Sequence, residues 1–120
     1  MKNLYVTFGL FFFLFGCKNS VIEQPKNLID EDKMVAILYD YSIFDAVRNQ
    51  NMTTSLSAYN PNTYIYKKYK IDSLQFAQSN RYYSTNISKY KKMYKKVAER
   101  LENYKNQLNN SSKIETKIVK

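Results

Sequence analysis

A thiol directly behind an apolar run is the group in this 120-residue chain whose position most narrowly prescribes its chemistry. Cys17, the only cysteine, follows the segment Leu4 to Gly16, with Met1-Lys2 as a short positive start and Phe11-Phe12-Phe13-Leu14 inside the apolar stretch. Leu14-Phe15-Gly16-Cys17 places a small residue before the cut that a signal peptidase requires. We read residues 1–16 as a lipoprotein signal peptide and Cys17 as the lipidation site, although Phe15 stands where such signals more often carry a small residue. The run is shorter than the ~20 apolar residues of a membrane-spanning helix, and a lone Cys forms no internal disulfide. An ordinary secretory peptide with an incidental cysteine is the plainer alternative. A thioether diacylglycerol plus an N-acyl chain such as palmitate would hold the mature protein on a membrane, at ~0.8 kcal/mol per buried CH₂.

Little else in the chain has the makings of a reactive site. There is no His, and the only two Gly, Gly9 and Gly16, lie in the signal segment, so no Gly-rich phosphate loop exists. Most catalytic templates need one of these groups. No metal-ligand set and no cofactor motif stands out, and the expectation is a protein that is not an enzyme. Asp40 and Asp45 are the carboxylates inside the apolar part of the first helical stretch, but five residues apart they share no helix face well. Asp40, between Tyr39 and Tyr41, is expected to be partly buried against a Tyr hydroxyl or Arg81. Asp72-Ser73-Leu74 fits a short Asp-(Ser/Thr)-aliphatic pattern of O-glycosylation, which makes Ser73 a weakly specified candidate. Lys89, Lys91, Lys92, Lys95 and Lys96 form a possible basic surface, whose plain reading is a solvated helix face.

The elements that carry these residues follow from period and caps. Removing residues 1–16 leaves 104 residues and takes Lys2 away, so the net charge falls from +9 to +8; eleven of the twelve Tyr stay, with no Trp. Residues 17–27 are polar and read as a tether, and residues 28–109 as one helical domain. Met34, Ile37, Leu38, Tyr41, Phe44 and Val47 recur at helical spacing behind Asp30, Glu31 and Asp32, which predicts a helix over about 30–49. Asn49 to Ser55 is too polar to continue it, and the loop extends to Tyr59. Asn60-Pro61 reads as an N-cap followed by proline at the first helical position, giving a short helix over 61–69. Asp72 with Gln75 forms a capping-box pair that opens a helix over 72–83.

Ser84 or Thr85 is expected to cap a last helix over 86–109, in which Ile87, Tyr90, Tyr94, Val97, Leu101, Tyr104 and Leu108 alternate spacings of three and four. That stripe either packs on the first helix of the same chain or forms a coiled-coil seam, and the first is the simpler reading. Asn109-Asn110-Ser111-Ser112 is expected to stop the helix, leaving 110–120 as a disordered tail. The fold class is therefore all-α, a small bundle of about three to four helices behind a lipidated tether.

The succession Pro25-Lys26-Asn27-Leu28-Ile29, Asp32-Lys33-Met34-Val35, Ile37-Leu38-x-Asp40, Tyr64-Ile65-Tyr66-Lys67-Lys68-Tyr69-x-Ile71-Asp72, Gln75-Phe76-x-x-Ser79-x-x-Tyr82-Tyr83 and Tyr94-Lys95-Lys96-Val97 resembles the small Bacteroidota lipoproteins of domain of unknown function 4296. The resemblance covers about Pro25 to Leu108. It implies an all-helical envelope domain behind a lipobox and carries no established activity, so no catalytic or ligand-binding residue is transferred from it. Lys18-Asn19-Ser20 after the cysteine, rather than acidic residues, favours the periplasmic leaflet of the outer membrane over the cell surface.

The expected function is that of a periplasm-facing interaction module, an accessory of envelope assembly or of a membrane complex. Its partners would be the membrane, through lipidated Cys17, and an envelope protein; an exported chain meets no nucleic acid despite its charge. The alternative is an anionic lipid- or glycan-binding module that uses the basic helix face.

Overall fold

The computed structural model describes residues 22–50 and 55–118, with side chains through residue 112. The signal segment, Cys17, most of the expected tether and part of the loop after the first helix lie outside the described residues. Four α-helices follow one another: α1 Glu31–Asn49, α2 Pro61–Tyr69, α3 Ser73–Ser84 and α4 Ile87–Ile118, with a 3₁₀ turn at Ser55–Ala58 before α2. No strand occurs among the described residues, and the all-α bundle expected from the sequence is the fold.

Caps set most of the boundaries. Asp30 Oδ1 accepts the Lys33 N–H at 2.9 Å, and Glu31 and Asp32 occupy the first turn of α1, where the helix dipole favours negative charge. Asn60 Oδ1 accepts the N–H groups of Asn62 and Thr63 at 3.0 and 3.2 Å, with Pro61 at the start of α2. Asp72 Oδ1 accepts the Gln75 N–H at 2.7 Å. Only this half of the expected capping box forms, because Gln75 Nε2 donates instead to the Asn27 carbonyl at 2.9 Å. The last helix corrects the expectation too. Asn86, not Ser84 or Thr85, accepts the Lys89 N–H, while Ser84 and Thr85 donate back to the carbonyls of Arg81 and Tyr82 and close α3.

α1 is the central element. Ile37 and Phe44 lie about 20° apart at ~100° per residue, Val35 and Leu38 lie about 100° or more away from them toward the side of Glu31, Met34 falls between the two sets, and all five are buried. One set meets α2 through the edge-to-face pair of Phe44 and Tyr64, centroids 5.3 Å apart. The other meets α4, whose Met93 and Val97 are buried. α4 runs beside α1 in the same direction: Lys89 and Lys96 meet Glu31 at the start of α1, and Arg100 and Tyr104 lie near Tyr39 about two turns on. The last helix therefore packs within its own chain.

The segment before α1 is stitched to α3. The Ile29 N–H donates to the fully buried Ser79 Oγ at 3.0 Å, and the Tyr83 hydroxyl donates to the Ile29 carbonyl at 2.7 Å. Tyr82 reaches Gln24 at 3.4 Å, and Leu28 N–H turns back to the Pro25 carbonyl. The expected tether of residues 17–27 is thus docked on α3 from Gln24 onward.

Two further expectations need correction. α4 does not stop at Asn109, and the segment expected as a tail is helical through Ile118. Ser111 and Ser112 satisfy their hydroxyls on the carbonyls of Gln107 and Asn109, both at 2.9 Å, which removes the competition with the helix that made them look like breakers. The stripe of α4 is also rotated. Met93, absent from the expected stripe, is buried, while Ile87, Tyr94, Tyr104 and Leu108 are exposed. The face toward α1 is centred between Met93 and Val97, so Ile87 and Tyr94 fall on its far edge.

The Ser79 contact sets a measurable cost. Ser79→Ala leaves the buried Ile29 N–H without a partner and should destabilise the protein by about 1–3 kcal/mol, lowering Tm by about 4–8 °C per kcal/mol for a domain of this size. Urea and thermal unfolding followed by circular dichroism would read it. Tyr83→Phe should cost less than Ser79→Ala, and the double mutant less than the sum, since both act on one peptide unit.

Candidate functional site

Asp40 is the carboxylate that the fold draws into a cluster. α1 and α2 pack so that Asp40 Oδ2 takes hydrogen bonds from Lys68 Nζ at 2.7 Å and from the Tyr69 hydroxyl at 2.8 Å. The Asp40 side chain is only 13% exposed, so the expected burial against a Tyr hydroxyl holds; the partner is Tyr69, and Lys68 takes the cationic place given to Arg81. Lys68 also lies 5.3 Å from the Tyr69 ring centroid and 5.8 Å from that of Tyr64. Burial first, and the bond to Asp40 second, push the Tyr69 hydroxyl up to about 12. The Asp40 hydrogen bond raises Lys68 above its ordinary value, so both groups favour their protonated forms. Asp45 is exposed on another side of α1 and does not join the cluster.

The basic run on α4 splits in two. Lys96 Nζ lies 3.0 Å from Glu31 and 3.6 Å from Asp32, and Lys89 Nζ lies 3.4 Å from Glu31 and 5.2 Å from the Tyr83 ring centroid. Both are therefore committed to α1 and α3. The hydrogen bond from Lys96 holds the Glu31 carboxyl below its ordinary value, against a smaller effect of burial. Lys91, Lys92 and Lys95 are exposed, point away from α1 by helical position, and form no ion pair among the described residues. All five expected lysines lie at the surface, and Lys91, Lys92 and Lys95 are the ones that no ion pair among the described residues takes up. Ser73 is exposed at the first position of α3, open to modification, with Asp72 already engaged as the cap.

The tyrosines are spent mostly inside the fold. The hydroxyls of Tyr41, Tyr69, Tyr83 and Tyr90 bond Asn62, Asp40, the Ile29 carbonyl and Asn80 at 2.7–2.9 Å. Tyr59, Tyr94 and Tyr104 are the exposed ones. Among the described residues no His, Cys, Asp or Glu group of metal-binding size forms, and no helix is long and apolar enough to cross a membrane. Sequence reasoning missed Ser79 and Lys68; spacing gave a signal only for the first, since Ser79 and Tyr83 stand four apart and share a helix face.

The Asp40 cluster makes a pH-dependent contribution whose direction is fixed. Tyr69 titrates at about 12 in the folded chain against about 10 unfolded, so its contribution is present in full below pH ~10 and is lost as the pH rises toward 12. Tyr69→Phe should flatten that alkaline loss of stability. Asp40→Asn should lower the Tyr69 pKa, read by tyrosinate absorbance, and cost about 1–2 kcal/mol through the charge-assisted bonds it weakens.

No curated protein and no solved structure matches the chain significantly. A family model described as a domain of unknown function (DUF4296) matches residues 25–107. The match begins at the Pro25 turn that leads into the Ile29 bonds and ends within α4, just past the part of that helix that packs on α1. By that match, which spans more than half of its length, the chain belongs to the DUF4296 family.

Proposed function

We propose that the protein is a periplasm-facing lipoprotein, anchored in the outer membrane through acylated Cys17, whose helical domain is a non-catalytic interaction module of an envelope complex. The apolar run ending at Gly16-Cys17 and the likeness to small Bacteroidota lipoproteins support the anchor. The observation that carries the module is the outer half of α4. Its described side chains from Glu102 to Ser112 are all exposed, and Tyr104 and Leu108, 44% and 52% exposed, lie on the side that buries Val97. An apolar edge that outruns its own core suits a partner helix laid alongside it, in the helix-in-groove manner. Asp40, the one drawn-in carboxylate, is tied to Lys68 and Tyr69, which favours a structural role for it. The exposed Lys91, Lys92 and Lys95 favour a second reading, binding to anionic lipid, worth ~1 kcal/mol per Lys at the surface and screened by salt.

Cys17→Ser tests the anchor. Fatty-acid labelling should mark the wild type and not the mutant, the mutant should retain its signal segment or be processed aberrantly, and the helical domain should still fold. Labelling of the mutant, or a wild-type mature chain that does not start at acylated Cys17, overturns the lipoprotein reading.

A photo-crosslinker at Leu108 tests the module. In native membranes it should capture one reproducible envelope protein, which the same group at Glu102, on the opposite side of α4, does not capture. Capture from both positions alike, or from neither with the protein monomeric, counts against the module; salt-sensitive binding to anionic vesicles would then support the lipid reading.

A further inference from the structure

We propose that the cleft between the 3₁₀ turn and α2 binds a pyranose that carries a carboxylate or phosphate group. The cleft has a volume of about 600 Å³ and is lined by Tyr59, Asn60, Thr63, Tyr64, Lys67 and Lys68. It lies apart from the outer half of α4, and the inference does not depend on the interaction module.

Its floor is aromatic and held in place. Tyr59 is 58% exposed, and its ring is tilted against Tyr64 at 6.0 Å between centroids. Tyr64 in turn stands edge-on to the buried Phe44 at 5.3 Å. An exposed ring is thus braced, through one intermediate, on the core. The face of such a ring carries partial negative charge, which suits the slightly positive C–H edge of a sugar ring laid over it.

The rim supplies the charge. Lys67 is exposed and makes no ion pair among the described residues, whereas its neighbour Lys68 is already bound to Asp40 at 2.7 Å. The two lysines therefore differ in role. Lys68 is neutralised by its partner and braces the Tyr64 ring at 5.8 Å, and Lys67 is left as the group that meets an anion. The Thr63 hydroxyl stands one turn before it, and Asn60, whose Oδ1 is taken by two backbone N–H groups, keeps its amide N–H₂ as a donor. One cation, hydroxyl and amide donors and an aromatic platform match a polyhydroxylated ring with one acidic substituent.

The openness of the cleft selects against an acyl chain. Pockets that hold apolar ligands enclose most of the ligand surface, and this cleft leaves one side to water. A sugar keeps its outward hydroxyls solvated at no loss. The affinity expected of such a site is weak, about 1 mM for a monosaccharide.

The test uses the full chain, solubilised in a detergent without a sugar head group, and four probes: glucose, glucuronate, glucose 6-phosphate and inorganic phosphate. NMR titration should shift the Tyr59 and Tyr64 ring signals and the amides of Asn60 to Lys68 with glucuronate or glucose 6-phosphate. Glucose, which lacks the charge, should bind about threefold more weakly, and inorganic phosphate, which lacks the ring, about tenfold more weakly. Tyr59→Ala should weaken the acidic sugar by about tenfold and Lys67→Ala by about threefold, with unchanged circular dichroism; Lys67→Glu should abolish the preference for acidic over neutral sugar. Stronger binding of glucuronate than of glucose 6-phosphate identifies a uronic acid as the source of the charge, and the reverse identifies a sugar phosphate. Equal shifts with glucose overturn the role of Lys67, equal shifts with inorganic phosphate overturn the aromatic platform, and no localised shift with any probe overturns the site.

Discussion

The peptide unit at Ile29 is the joint on which the bundle depends. Its N–H and C=O are both taken by α3, from Ser79 and Tyr83, fifty and fifty-four residues later. A buried backbone group left unpaired costs about as much as a lost hydrogen bond, so the chain cannot bury the Ile29 side chain here without these two partners. Once the joint is made, Asp30 is positioned as the N-cap of α1 and its neighbours Glu31 and Asp32 face α4. The same contacts that close the joint also fix the direction of the central helix. Residues that carry the likeness to the family, from Pro25 to Ile29 and from Ser79 to Tyr83, fall on this joint. They mark a way of folding.

The parallel placement of α1 and α4 brings two positive helix ends together, and the charges near them answer it. α4 has no acidic residue in its first turn, and Lys89 stands there, unfavourably placed with respect to its own helix dipole. Glu31, on the first turn of α1, serves both helices at once, as a favourable charge for its own N-terminus and as the partner of Lys89 and Lys96. Exposed ion pairs of this kind contribute little each. Their larger effect is on arrangement, since an α4 slid by one turn would leave Lys89 without Glu31.

Helix order was legible in the sequence because caps and breakers spoke locally. Asp30, Asn60-Pro61 and Asp72 each start a helix where their side chains predict one. The stop of α2 was legible only through the start of α3. No glycine is present after Gly16 to mark a left-handed turn, and Lys70 takes φ 52° and ψ 52° instead, a conformation that costs a non-glycine residue roughly 1–2 kcal/mol. The adjacent Ile71 is buried, with its N–H returned to the Tyr66 carbonyl, which holds the turn closed. What was not legible was anything set by a long-range partner. Gln75 left its expected cap for Asn27, Asp40 found Lys68 and not Arg81, and the face of α4 was set by α1 and so centred near Met93.

A Tyr-rich composition invites a reading of surface stickiness, and the geometry divides that reading by residue. A buried tyrosine brings its hydroxyl with it and must find an acceptor; Asn62, Asp40, the Ile29 carbonyl and Asn80 are those acceptors. Short of Phe and lacking Trp once residues 1–16 are set aside, the domain uses these pairs to connect its elements, and Asp40 and Asn80 are drawn partly out of water by the same need. The tyrosines that stay exposed are Tyr59, Tyr94 and Tyr104. They lie in two places, beside the cleft on α2 and along α4. Contact with a partner draws first on these, because the tyrosines bonded to Asp40, the Ile29 carbonyl and Asn80 cannot turn outward without leaving a drawn-in acceptor alone.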